Sequence, residues 1–229
     1  MTPRVVVLSA PSGGGKTTIA RELRKRLPGV FGYSVSATTR KPRTGERDGE
    51  AYHFLTRDEF ERRVQAGEFL EWVEYAGERY GTLRSEVDRV LASGRHVVLD
   101  VELKGARRVR TAYPRPASLS IFVIPPSPRI LLERLRKRRT ESEAELLERL
   151  AIAVREVRAA EEDAKQAILF EHIVVNDDLD AAVNLVIDIV GNPAAERHRA
   201  GDMITRVAAF ARELEREAEQ LGQSARRST

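Results

Sequence analysis

The chain has 229 residues, 39 of them Lys or Arg and 35 Asp or Glu, for a formal net charge of +4; 41% of its residues are hydrophobic and 32% charged. That composition belongs to a globular protein, and the length suits one sizeable α/β domain with insertions. The small charge excess does not mark a nucleic-acid binder, zero cysteines exclude disulfides and cysteine nucleophiles, and no apolar run approaches the roughly 18 residues of a membrane span.

In chain order, Val5-Val6-Val7-Leu8 is a β-branched run that predicts a buried strand, and the glycine-rich stretch Gly13-Gly14-Gly15 follows it. No apolar leader precedes that strand, so a cytoplasmic protein with neither membrane nor nucleic-acid partners is expected. Ile19, Leu23 and Leu27 then recur at a four-residue spacing until Pro28-Gly29, which predicts an amphipathic helix with a defined end. Thr56 with Glu59 has capping-box spacing for a helix ended by Gly67. Ser85 is the expected cap of a helix holding Val87, Val90 and Leu91, with Gly94 beyond its end. Ser127-Pro128 pairs an N-cap with proline at the first helical position, and Ser142 with Glu145 forms a second capping box. A further helix is predicted from about Leu179 to Val190, before Gly191-Asn192-Pro193.

Between the helices lie three short apolar runs, Val97 to Leu99, Leu119 to Ile124 and Ile173 to Val175. Alternation of such runs with helices predicts a parallel sheet covered on both faces. The segment 36–82 is richer in aromatic residues, glycines and charges, and reads as an inserted mixed α/β lobe. Residues 193–229 carry Ile204, Val207, Ala211, Leu214, Ala218 and Leu221 at helical spacing along a narrow stripe. A helix packed on the body, a self-association helix and a frayed end all fit that stripe. A helix is expected, with about the last six residues disordered.

Ala10-Pro11-Ser12-Gly13-Gly14-Gly15-Lys16-Thr17 has the spacing of a phosphate-binding loop, with alanine at the first glycine position. Backbone N–H groups in such a loop curl around a β-phosphate, the lysine reaches the outer phosphates, and the hydroxyl ligates Mg²⁺ at a helix N-terminus. Strand and helix flank the loop in the required order, so the chain is expected to bind a nucleoside triphosphate. No Asn-Lys-x-Asp run is present, which argues against a GTPase. Further on, Arg40 and Arg43 stand three apart beside several hydroxyls and ahead of Tyr52, a pattern suited to clamping a monophosphate.

The run Thr38-Thr39-Arg40-x-x-Arg43-x-x-Glu46-x-x-Gly49-x-x-Tyr52-x-Phe54 resembles the signature of the guanylate kinases. The resemblance continues through Phe69-Leu70-Glu71-Trp72, Tyr80-Gly81-Thr82, Leu99-Asp100, Gly105 and Asn176-Asp177-Asp178, and covers residues 4 to 190. It implies a three-layer α/β P-loop kinase with a central parallel sheet, an inserted GMP-binding lobe, an arginine-rich lid and a C-terminal helical extension. The kinase-like domain would span 1–192, with core segments 1–35, 83–133 and 157–192, lobe 36–82 and lid 134–156; the tail would be 193–229.

That resemblance also implies the site. Ala10, Pro11, Ser12, Gly13, Gly14, Gly15, Lys16, Thr17, Thr18, Arg138 and Asn176 would hold ATP. Arg40, Arg43, Tyr52 and Tyr80 would hold the GMP phosphate, and Glu71, Thr82 and Ser36 the guanine. Arg134, Arg138 and Arg149 would neutralise charge on the transferred group, joining Lys16, Arg40 and Asp100 in catalysis. Asp100 would assist Mg²⁺ through water or touch GMP, and Glu102 keeps a carboxylate at longer reach. Two departures stand out: Lys104 occupies a position that is glutamine in the family, and Lys137-Arg138-Arg139 replaces a glycine-flanked arginine, which is expected to stiffen the lid. The rival readings are a scaffold-type guanylate-kinase-like domain that binds protein partners, and a kinase for another nucleoside monophosphate. The intact loop, the arginine pair and Glu71 weigh against both.

Overall fold

The computed structural model describes residues 2–75, 77–136, 143–166, 169–192 and 200–227. It falls into two compact units, one formed by Met1–Val7 with Leu23–Ser118 and the other by Leu8–Glu22 with Leu119–Thr229.

Strand β1 (Val5–Ser9) is buried along its whole length, as its β-branched run predicts, and it passes from the first unit into the second. In the first unit, β2 (Phe31–Gly32) lies parallel to β7 (His96–Asp100), and β7 lies beside the start of β1. The amide of Val97 donates to the Arg4 carbonyl at 3.1 Å. A separate four-stranded sheet, in the order β4-β3-β6-β5, builds the lobe from β3 (Ala37–Thr38), β4 (His53–Phe54), β5 (Phe69–Tyr75) and β6 (Glu78–Leu83). Helix α2 (Arg57–Gln65) caps as expected: the Glu59 amide donates to Thr56 Oγ1 at 3.1 Å. Phe60 on α2 stacks on Phe69 of β5 with ring centroids 4.3 Å apart, and both are buried with Ala37 and Leu83. Loss of such a buried ring costs about 3–5 kcal/mol, so this small cluster holds the lobe to its helix.

Two helices of this unit differ from expectation. Helix α3 (Arg84–Ala92) starts one residue before Ser85; its N-cap is Leu83, which makes no side-chain cap bond, because β6 runs directly into the helix. Helix α4 (Leu103–Ala112) has no counterpart in the sequence reading. Its sequence is charged and opens without a capping side chain, and only Gly105, Ala106 and Val109 are buried, too few apolar positions to announce a helix.

In the second unit, the end of β1 is followed in the sheet by β8 (Ser118–Ile124) and β9 (His172–Val175), the last two paired in parallel from Ile121↔His172 to Ile124↔Val175. The same unit holds the start of α1 (Lys16–Arg26), with α5 (Pro128–Arg136), α6 (Glu143–Gln166) and α7 (Leu179–Gly191). The Ile130 amide donates to Ser127 Oγ at 3.3 Å, so the Ser127-Pro128 start is realised. Asp178 supplies the cap of α7, accepting from the Ala181 amide at 2.8 Å. The expected capping residue Ser142 lies outside the described residues. The tail forms one helix, α8 (Ala200–Arg227), packed against α6, α5 and β9. The stripe is broader than expected, because Phe210 is buried beside Val207, Ala211 and Leu214.

Candidate active site

The loop expected to hold the triphosphate lies within the second unit. The loop from Ala10 to Gly15 joins β1 to α1, whose first two residues are Lys16 and Thr17. Gly13 and Gly15 have φ of +84° and +98°, a region closed to most side chains. A Cβ on Gly15 would stand 2.2 Å from Asn176 Nδ2, so the turn requires glycine twice over. Alanine is accommodated at position 10 because its Cβ faces Gly14, where an added Cβ would lie only 2.8 Å away. Helix α1 has no acidic residue in its first turn, so nothing on it offsets the positive end of the helix beside the glycines.

Three side chains bond this loop directly, and a fourth holds one of them. Asn176 is buried and donates from Nδ2 to the Gly14 carbonyl at 2.9 Å, while Arg134 on α5 donates to the Asn176 carbonyl at 2.9 Å. Arg149 on α6 donates to Ser12 Oγ at 3.0 Å. From the same helix, the Glu156 carboxylate accepts the Ser12 amide at 3.1 Å. A cavity of about 320 Å³ opens over the loop, lined by Gly13, Gly15, Thr18, Arg134, Asn176 and Asp177.

The residues expected to hold the acceptor lie within the first unit. Arg40 donates to Glu46 at 2.9 Å and sits over the Tyr52 ring at 5.5 Å; Tyr52 in turn meets Tyr80 with centroids 6.0 Å apart. Hydrogen bonding to Glu46 raises the guanidinium pKa, and the same bond, followed by one from the Arg43 amide, holds the Glu46 carboxyl below its usual range. The Arg43 side chain is exposed.

Glu71 and Thr82 are register partners across β5 and β6, and Thr82 Oγ1 donates to Glu71 Oε1 at 2.7 Å. Burial pushes the Glu71 carboxyl up, against the pull of the Thr82 hydrogen bond and of the Arg108 charge on α4. Helix α4 reaches this carboxylate through Gly105, where an added Cβ would come 3.4 Å from Glu71 Oε2. Asp100 is exposed at the end of β7, and Glu102 is the N-cap of α4 with no side-chain cap bond. Ser36 is half-buried, and its carbonyl accepts the His53 amide at 2.9 Å.

Comparison with known proteins fits this geometry. The guanylate kinase family model matches residues 2–192. The chain belongs to the guanylate kinase family. A guanylate kinase from Synechocystis is 44% identical over 188 residues, covering 82% of this chain and 93% of that relative. The Homo sapiens guanylate kinase is 42% identical over 199 residues, 87% of this chain and 98% of the relative. The crystal structure of guanylate kinase from Anaplasma phagocytophilum superposes with a TM-score of 0.60 at 29% identity, over 82% of this chain and 85% of that one. The fold is accordingly that of a P-loop kinase, and the chain is an ATP:GMP phosphotransferase, converting GMP to GDP.

Within this guanylate kinase, the structure brings Ser12, Gly13, Gly14, Gly15, Arg134, Arg149 and Asn176 together in the second unit, and Arg40, Tyr52 and Tyr80 together in the first. Arg138 lies outside the described residues. Asn176, the implied adenine contact, donates its side-chain amide to the loop at the Gly14 carbonyl. Two residues that the sequence reading did not single out join the sites. Glu156 stands seven positions after Arg149, the spacing that returns a helix to the same face. Arg108 stands three positions after Gly105 on α4, and could be found only once that helix was known.

Proposed function

We propose that the GMP phosphate is held by Arg40 and Arg43 with Tyr52 and Tyr80, that guanine is read by Glu71 with Thr82 and Ser36, and that ATP lies on the 10–18 loop. The carrying observation is the half-buried Glu71 carboxylate held at 2.7 Å by Thr82. An ionised carboxylate only accepts hydrogen bonds, and the guanine edge offers two adjacent donors, N1–H and the 2-amino group. Adenine offers no such pair there, and leaving this carboxylate unpaired against it costs about 1–3 kcal/mol.

An oxygen of the GMP phosphate attacks the γ-phosphorus of ATP in line; that O–P bond forms as the bond to the β–γ bridging oxygen breaks, and ADP leaves with the bond's electrons. The protein contributes position and charge rather than covalent chemistry. Lys16 and the loop amides face the charge gathering on the leaving phosphates, and Arg134 and Arg149 add to it. Among the described residues no cluster of carboxylates or histidines forms a metal cage. Mg²⁺ keeps its waters and binds chiefly through phosphate oxygens, and the exposed Thr17 hydroxyl would join them. When bound, Mg²⁺ offsets phosphate charge.

The test supplies the purified chain with Mg-ATP and, separately, GMP, AMP, UMP and CMP while following ADP. Preference for GMP is expected. Preference for AMP overturns the Glu71 assignment, and no ADP with any acceptor overturns the transferase reading.

A further inference from the structure

The family match ends at residue 192, and α8 begins at Ala200. This added helix is not attached at random. Its buried face, Val207, Phe210, Ala211 and Leu214, belongs to the packing of α8 against α6, α5 and β9. A polar lock lies along the same contact. Arg158 of α6 donates from Nε to Glu215 of α8 at 2.6 Å and makes a second bond to the other carboxylate oxygen, while its Nη1 donates to the buried Glu161 at 2.6 Å. The fork of a guanidinium meeting two carboxylate oxygens fixes orientation as well as distance. Hydrogen bonding to Arg158 holds Glu215 below its usual range, so the pair stays ionised near neutrality.

Arg158 sits two residues beyond Glu156 and on the same continuous helix as Arg149. Those two side chains are the ones that hold Ser12 of the phosphate loop, at 3.1 and 3.0 Å. A helix advances about 1.5 Å and turns about 100° per residue, so a slip of α6 by one residue takes both contacts out of hydrogen-bond range. The position of α6 therefore matters to the loop, and α8 is what grips α6 from its other side chains.

We infer that α8 is a built-in positioning element for the triphosphate site: through the Glu215–Arg158 pair it fixes α6, and through Arg149 and Glu156 it fixes Ser12. The occupant of the α6 surface is thus a segment of this same chain, and Glu215 is a positioning residue that touches no substrate. The inference rests on the reading of the loop as the ATP site.

The test uses the full chain with Glu215→Ala, a substitution at a half-exposed position that leaves the apolar face of α8 in place. The expected result is a rise of about five-fold in KM for ATP, with KM for GMP and the melting temperature little changed. Glu215→Gln, which keeps a carbonyl oxygen for Arg158, recovers part of the loss. In a Glu156→Ala background the further loss from Glu215→Ala is smaller, because one of the two contacts it acts through is gone. An unchanged KM for ATP, equal rises for both substrates, or full additivity with Glu156→Ala overturns the inference. Lys16→Met run alongside separates the two claims: if it still turns over at the normal rate, the ATP-site reading fails, whereas an inactive Lys16→Met beside a normal Glu215→Ala removes only the role of α8.

Discussion

Glu46 accepts a hydrogen bond from the Arg40 guanidinium at 2.9 Å and, through its other oxygen, one from the Arg43 backbone amide at 2.7 Å. One carboxylate thus fixes both the side chain of the first arginine and the backbone of the second. The arginine is further confined by the Tyr52 and Phe54 rings, at 5.5 and 5.8 Å. A cation held this way loses little freedom on meeting a phosphate. Glu46→Gln keeps the shape and weakens the hold, and is expected to raise KM for GMP several-fold while leaving KM for ATP unchanged. Arg40→Lys removes the planar fork altogether, and kcat/KM for GMP falls by about 100-fold. Steady-state kinetics with each substrate varied in turn checks both; a Glu46→Gln enzyme with tighter GMP binding would mean that Glu46 competes with the phosphate instead of preparing for it.

Glu71 illustrates a cost accepted for specificity. Burial raises its folded-state pKa above the unfolded value, so the folded chain retains a proton that the unfolded chain gives up. The resulting penalty on stability grows as pH rises through the ordinary Glu range and is complete above the raised folded-state pKa. Glu71→Gln removes the charge and is expected to leave the melting temperature at pH 8 equal or higher, while kcat/KM for GMP falls about 10- to 100-fold and KM for ATP stays put. A lowered melting temperature with equal losses on both substrates would instead indicate a folding defect.

The same shift predicts a pH signature. The proposed guanine contact needs the ionised carboxylate, so kcat/KM for GMP should rise along an acid limb placed above the ordinary Glu range. The GMP phosphate itself titrates near pH 6, which is why the profile must be read against Glu71→Gln. That variant should keep the limb that belongs to the phosphate and lose the one that belongs to the enzyme. Superimposable profiles would take Glu71 out of the titration.

Lys16 tests the triphosphate side. It is the first residue of α1, directly after the glycines, where its ammonium adds to the helix end. Lys16→Met is expected to lower kcat by about 100-fold or more, with the circular dichroism spectrum and melting temperature preserved. Retained turnover would exclude this lysine from the chemistry.

The parts of this protein that were legible in the sequence are those where a local pattern answers to a local cause. The buried strands β1, β7, β8 and β9 announce themselves as β-branched runs, and Thr56 and Ser127 cap the helices they precede. The phosphate loop and the Arg40 clamp are likewise contiguous motifs. Helix α4 was hidden because tertiary packing supplies what its charged sequence lacks, and with it went Arg108, the cation that opposes the burial of Glu71. The hold of Arg149 and Glu156 on Ser12 spans 137 and 144 residues of sequence, a relation no local pattern encodes. The destination of α8 was equally out of reach, since an amphipathic stripe tells that a helix has a partner without telling which.

Gly15 gives the sharpest prediction about the loop. Its φ of +98° lies where an L side chain is strained, and its would-be Cβ stands 2.2 Å from Asn176 Nδ2, the group that holds the Gly14 carbonyl at 2.9 Å. Gly15→Ala must therefore either distort the turn or expel the Asn176 side chain, which leaves a buried amide without its partner at a cost of about 1–3 kcal/mol. Asn176→Ala opens space for the new methyl while giving up the same hydrogen bond. The double variant should consequently be less impaired in ATP binding than the sum of the single variants, a coupling of about 1 kcal/mol or more for groups in direct contact. Isothermal titration with a non-hydrolysable ATP analogue measures all four corners of this cycle; strict additivity would mean that the two residues meet in the fold without sharing the work of shaping the loop.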